Sequence, residues 1–299
     1  MPLLQLAKHH KYKNMIEEEY ISNNTKFIKP TKKYIHELFI ENVVFITSDK
    51  LKQNLDALAV EEGINTIRLT THDYKHDNLD FLNDYDLSFI KSINILSDSV
   101  SNIDGIYSLQ NLESISSTSK NIDFSRFPKL RGIGAELTLY SYKTLSTISS
   151  LESIRISNKF KENDVLIFSR NKKLNFLMLR GSKITSLKGL ENFEELECLE
   201  LYHNNYITSL EGITEKHNKT LKEISIFTAP KLFYVNEYLS KLSKIEHLQL
   251  ACKKVDSFKF LDNLTNLKLL GIHNKVSEVE DGNKEPLLNA LKRTNGKIW

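Results

Sequence analysis

Histidines, carboxylates and thiols are the side chains of this chain that could do chemistry, and their spacing along the sequence does not assemble a reaction centre. His72-Asp73-Tyr74-Lys75-His76-Asp77 offers two histidines and two carboxylates in one short run. A metal could use them only if the segment were helical or tightly turned, so a polar connecting loop is expected. Gly132-Ile133-Gly134 looks like the start of a dinucleotide loop, but the helix and third glycine that would cradle a phosphate are missing. His203, His247 and His273 fall on different expected strands at different heights, and neither Cys198 nor Cys252 has a histidine partner that the sequence can justify. The expectation is no catalytic residue, no cofactor and no resident metal. A weak metal-dependent enzyme built on His72 and His76 is the enzyme-class alternative.

These residues are carried by a repeat. Two strand residues in x-Leu-x-Leu spacing, preceded three positions earlier by another aliphatic, recur about every 22 residues, as in Leu151/Ile154/Ile156, Leu174/Leu177/Leu179 and Leu196/Leu199/Leu201. The series starts at 40, 64, 90, 112, 130, 151, 174, 196, 221, 245 and 267, which makes about eleven coils with steps of 18 to 26 residues. A period of this length predicts an α/β solenoid in which each coil is a short strand, a bend and a helical or irregular return. Leu187-Lys188-Gly189-Leu190-Glu191-Asn192-Phe193 has the spacing of one such helical turn. Because a solenoid end must be covered, residues 1–37 are expected to form an N-terminal helical cap, with Tyr12, Met15, Ile16 and Tyr20 on one helix face. Residues 38–283 form the solenoid, and Leu287, Leu288 and Leu291 begin a C-terminal cap helix over 284–299.

Lys183-Ile184-Thr185-Ser186-Leu187-Lys188-Gly189-Leu190, followed by Leu196-Glu197-Cys198-Leu199-Glu200-Leu201-Tyr202-His203-Asn204, resembles the 22-residue leucine-rich repeat of bacterial internalins and of leucine-rich-repeat regulators of protein phosphatases. The resemblance covers roughly residues 40 to 280. It implies a curved right-handed coil with a parallel sheet on the concave face, and protein–protein binding as the usual activity. One departure is systematic. The family's asparagine, three residues after the last strand leucine, is present only as Asn204, where the other coils carry His72, Asp98, Lys120, Thr138, Lys159, Ser182, Ala229, Lys253 and Lys275. Those bends must be satisfied by water, by Ser/Thr or by local backbone, so a less regular curvature than the family's is expected.

Strand side chains alternate, so the residues flanking and between the two strand leucines face away from the core. In the first half these are small: Ser92, Asn94, Ser114, Ser116, Gly132, Gly134 and Ser153. Further on they become large and mixed: Arg155, Phe176, Met178, Arg180, Glu200, Tyr202, His203, Glu223, Phe227, His247 and His273. Aromatic, Met and Arg side chains clustered over neighbouring strands are the composition of interface hot spots, and these eleven residues are the expected partner-binding surface. Glu197, Glu200, Glu223 and Glu246 set against Arg180, Lys222 and Lys268 favour a partner of some basic character.

The net charge of +3 arises from 41 Lys and Arg against 38 Asp and Glu dispersed along 299 residues, so the footprint of a nucleic-acid binder is absent. No apolar run predicts a membrane span, and no signal peptide is recognised at the N-terminus. Cys198 and Cys252 are expected to lie too far apart for a disulfide. Together these point to a bacterial cytoplasmic protein. The expected function is a non-enzymatic protein-binding module, specifically an immunity or inhibitor protein that masks a toxin or enzyme. An injected effector that binds a host protein is the alternative.

Overall fold

The structure is a computed structural model, and it describes residues 17–22, 25–30, 42–58, 60–61, 63–158, 160–273, 278–294 and 296–298. Contacts divide the chain into two compact units, one of residues 1–120 and 126–132 and the other of 121–125 and 133–299.

The first unit contains β1 (Glu17–Ser22), β2 (Thr25–Pro30), β3 (Asn42–Phe45), β4 (Ile64–Thr70), β5 (Ser92–Leu96) and β6 (Ser114–Lys120), hydrogen-bonded in that order. From β3 onward the strands are parallel. The inward rows Ile67/Ile93/Ile115 and Leu69/Ile95/Ser117 form the core beneath the sheet. Each return segment adds its own apolar residues, such as Leu79, Leu82 and Ile106.

The N-terminal segment differs from the expected helix. Where it is described it is a hairpin: β1 pairs antiparallel with β2, and β2 pairs antiparallel with β3 through Phe27↔Val44 and Ile28↔Val43. The open edge of β3 supplies the partner that selects strand over helix. Tyr12, Met15 and Ile16 lie outside the described residues. The first coil also sits one residue out of the expected phase: Val44 and Ile46 are fully buried, whereas Phe45 is half-buried beneath the Arg68 guanidinium at 5.5 Å. A register irregularity at Asn42/Val43 makes the shift. Val43-Val44-Phe45-Ile46 is apolar throughout, so hydrophobicity could not choose its parity; Ile40 lies outside the described residues.

The second unit runs β7 (Gly132–Leu137, its first residue belonging to the other unit), β8 (Ser153–Ser157), β9 (Phe176–Arg180), β10 (Cys198–Tyr202), β11 (Glu223–Ala229), β12 (His247–Cys252), β14 (Leu269–Ile272) and β16 (Lys297–Ile298). Pairing from β8 is parallel and in step: Ile154, Leu177, Leu199, Ile224, Leu248 and Leu270 occupy one inward row. All six are at most 1% exposed, and each such side chain contributes roughly 1.5–3 kcal/mol by burial. A second small sheet pairs β13 (Lys254–Val255) with β15 (Glu278–Val279). The helical turn expected around Leu187–Phe193 is a 3-10 turn at Leu190–Asn192. Helix Glu285–Thr294 lies within the segment 284–299, with Leu287 and Ala290 buried, Leu288 exposed, and Arg293 donating to the carbonyls of Leu261 and Leu264.

Bends are satisfied by several side-chain types. Asn204 is fully buried, donates to Leu179 O at 2.9 Å and accepts from the backbone N–H and hydroxyl of Ser182 in the adjoining coil. Elsewhere Asn171 accepts from Leu151 N, Ser141 from Ile122 N, and Lys120 reaches Val100 O.

Candidate functional site

The strand register of the second unit determines which outward side chains meet. One row reads Ser153, Phe176, Cys198, Glu223, His247 and Leu269 across β8 to β14. The next reads Arg155, Met178, Glu200, Ser225, Gln249 and Gly271, and a third reads Ser157, Arg180, Tyr202 and Phe227. Tyr202 and Phe227 stack with ring centroids 5.0 Å apart and planes within 8°. The Tyr202 hydroxyl donates to Glu200 Oε2 at 3.2 Å, and the Arg155 guanidinium lies 4.9 Å above the Phe176 ring. Half-buried Arg155, Met178, Arg180, Glu200, Tyr202 and Phe227 thus form one mixed surface.

Not every expected residue faces solvent. Phe176 is completely buried, with the Arg155 guanidinium over its ring, and Glu223 is 8% exposed. Ser92, Asn94 and Ser153, expected on the outward face of the earlier coils, are also buried. His203 follows β10 with a left-handed backbone (φ 55°) and is exposed at the bend instead of on the strand face. His273 follows β14, is half-buried, and its N–H donates to Leu250 O.

Sequence reasoning missed Cys198, Ser225 and Gln249, which lie in the same rows. Alternation alone places them there, but Cys198 reads equally well as a small core residue. It also missed a side cluster in which Phe233 meets Tyr234 edge-on at 4.7 Å, with Lys254 over Phe233 at 5.2 Å and Lys231 over Tyr206 at 5.3 Å.

The charges divide into two groups. Lys222 pairs with Glu197 at 3.2 Å and Lys268 with Glu246 at 2.7 Å, so these four offset one another beside the strand starts. The Lys268 hydrogen bond holds the Glu246 carboxyl below its ordinary pKa. Glu200 and Glu223 remain in the middle of the surface, with His247 Nδ1 3.7 Å from Glu223 Oε2.

The segment at His72 to Asp77 is a turn: Tyr74 is buried and donates to Asn78 O, Asp73 accepts from Thr70, and the His76 ring stands edge-on to Tyr74 at 5.4 Å. Its histidines and carboxylates do not converge on a common point. A pocket of about 160 Å³ in the first unit, lined among others by Leu82, Tyr85, Asp86 and Asn111, falls below the size of ordinary small-molecule sites. Cys198 and Cys252 are both buried and not joined in a disulfide, and burial pushes the Cys252 thiol up to about 12. Among the described residues, no helix is long and apolar enough to cross a membrane.

No protein-family model and no curated protein matches the chain. Among solved structures the chain is similar to internalin InlF from Listeria monocytogenes, at 15% identity and a TM-score of 0.47, over 84% of this chain and 70% of that one. It is also similar to the plant peptide hormone receptor RGFR1, solved in complex with RGF2, at 10% identity and a TM-score of 0.39, over 85% of this chain and 49% of the receptor. The eleven strands β3 to β12 and β14, one for each expected coil, and the parallel pairing of β3 to β6 and of β8 to β12 and β14 make the fold a leucine-rich-repeat solenoid.

Proposed function

We propose that this leucine-rich-repeat solenoid is a non-enzymatic protein-binding module that docks its partner on the outward face of β8 to β12. The observation that carries this reading is the stacked, half-exposed Tyr202–Phe227 pair flanked by Arg180, Met178 and Arg155. Aromatic and Arg anchors give up large contact area at small entropic cost, and such residues dominate interface energetics. In finer terms the protein is a cytoplasmic immunity or inhibitor protein whose surface occludes a toxin or enzyme. The half-buried carboxylate of Glu200 suits a partner patch of basic character.

The test is affinity capture from the native organism with wild-type bait, repeated with bait carrying Tyr202→Ala and Phe227→Ala. A single stoichiometric protein lost on the double substitution supports the reading. Equal capture by both baits sinks the surface assignment, and a captured protein whose activity is unaffected by binding sinks the inhibitor role.

A further inference from the structure

Strand register gathers a donor set that the chain's linear order hides. Cys198 opens β10, Glu200 lies two residues along the same face, and Glu223 stands beside Cys198 on β11. One ligand atom from each of the three lies within 4.8 Å of the others. His247, the next residue in the row, places Nδ1 3.7 Å from the Glu223 carboxylate. The thiol is fully buried and the Glu223 side chain is 10% exposed, whereas Glu200 is half-buried and the His247 side chain is 43% exposed. The cluster is therefore largely dry, with His247 its most exposed member.

We propose that Cys198 Sγ and the Glu200 and Glu223 carboxylates bind a borderline divalent transition-metal cation of the zinc class, with His247 as the outer partner that orients Glu223. A thiolate selects against magnesium and calcium, and mixed sulfur and oxygen donors suit zinc and its spectroscopic substitute cobalt. Tetrahedral donors around zinc stand roughly 3.3–3.8 Å apart, so side-chain rotation that draws the three atoms together by up to about 1.5 Å completes the set. The fourth position is left to water or to a partner's donor. On binding, the Cys198 thiol loses its proton to solvent, so affinity rises with pH.

The test needs no partner, so its outcome is independent of the docking reading. Purified full-length protein, held reduced by a phosphine, is titrated with Co2+ while thiolate-to-metal charge-transfer absorption is followed in the near ultraviolet. The expected result is a band that saturates at one equivalent, is bleached by Zn2+ and strengthens with rising pH. Cys198→Ser removes the band and Cys252→Ser keeps it. Glu223→Gln, with folding checked by circular dichroism, weakens Co2+ binding roughly tenfold or more. Glu200→Gln provides the same comparison should Cys198→Ser fail to fold. Absence of the band at millimolar Co2+, its persistence in Cys198→Ser, or unchanged affinity in both glutamine variants overturns the site.

Discussion

Four neighbouring strands of the second unit carry a left-handed residue at their C-terminal end, Asn158 (φ 59°), Gly181 (φ 63°) and His203 (φ 55°) directly after β8, β9 and β10, and Thr228 (φ 64°) as the penultimate residue of β11. In three of these the N–H still reaches the next strand, Asn158 to Arg180 O, Gly181 to Tyr202 O and His203 to Phe227 O, each at 2.8 Å. The bend therefore demands this backbone in coil after coil. Glycine adopts it freely and Asn and His tolerate it, but β-branched threonine does not. Thr228→Gly is expected to raise stability by about 1 kcal/mol, read as a higher denaturation midpoint; an unchanged or lower midpoint would show that the threonine side chain contributes more than its strain costs. His217 is a second local case. It is buried, its Nε2 meets Leu190 O at 3.1 Å and its Nδ1 meets Thr214 N at 3.0 Å. A carbonyl can only accept and a backbone N–H can only donate, so Nε2 carries the proton of a neutral ring. Burial lowers its pKa below the ordinary value of 6.5. The unfolded chain then binds this proton at higher pH than the folded one, so stability is full above about pH 6.5 and falls as pH drops toward the folded pKa. Between about pH 7.5 and 5.5, the melting temperature of the wild type should decline more steeply than that of His217→Gln.

At the scale of elements, each coil's return segment must lie close against the preceding one, and glycine makes the contact. A Cβ on Gly212, whose φ is 109°, would sit 2.0 Å from Leu187 O. That neighbour is backbone and cannot swing away. Gly212→Ala should cost about 2 kcal/mol or more in chemical denaturation, combining the clash with a left-handed backbone; a loss below half of that would mean the coils are loosely stacked. Lys188-Gly189-Leu190 and Glu211-Gly212-Ile213 repeat this unit in the sequence, where the spacing showed a helical turn but not the backbone contact. The N-terminal hairpin was not legible there. Tyr20 fits a helical spacing with Met15 and Ile16, and only the edge of β3 as a pairing partner makes strand the better solution. The parity of β3 was hidden for a similar reason, since four consecutive apolar residues carry no alternation to read.

Considered whole, the molecule commits its outward surface unevenly between the two units. Tyr202→Ala with Phe227→Ala should abolish partner capture while lowering unfolding stability by no more than about 1–2 kcal/mol, because the stacked pair is half-exposed and contributes mainly its ring contact. Leu96→Ala, at an exposed outward position of the first unit, is the matched control, and an equal loss of capture there would count against the docking assignment. Ser92 and Asn94 would serve poorly for this purpose, since they are buried and their substitution perturbs packing. Sequence by itself determined the coils, because the aliphatic spacing within each one is local: Leu151, Leu174, Leu196, Leu221 and Ile245 are all buried as the period requires. It also pointed to most of the mixed surface, since strand alternation fixes which way a residue faces. Only the tertiary structure decided which outward residues are covered and which become neighbours across strands. Phe176 closes beneath Arg155, and Cys198, Glu223 and His247 fall into one row, because register between coils is set by pairing and by return segments of unequal length, which no single coil encodes.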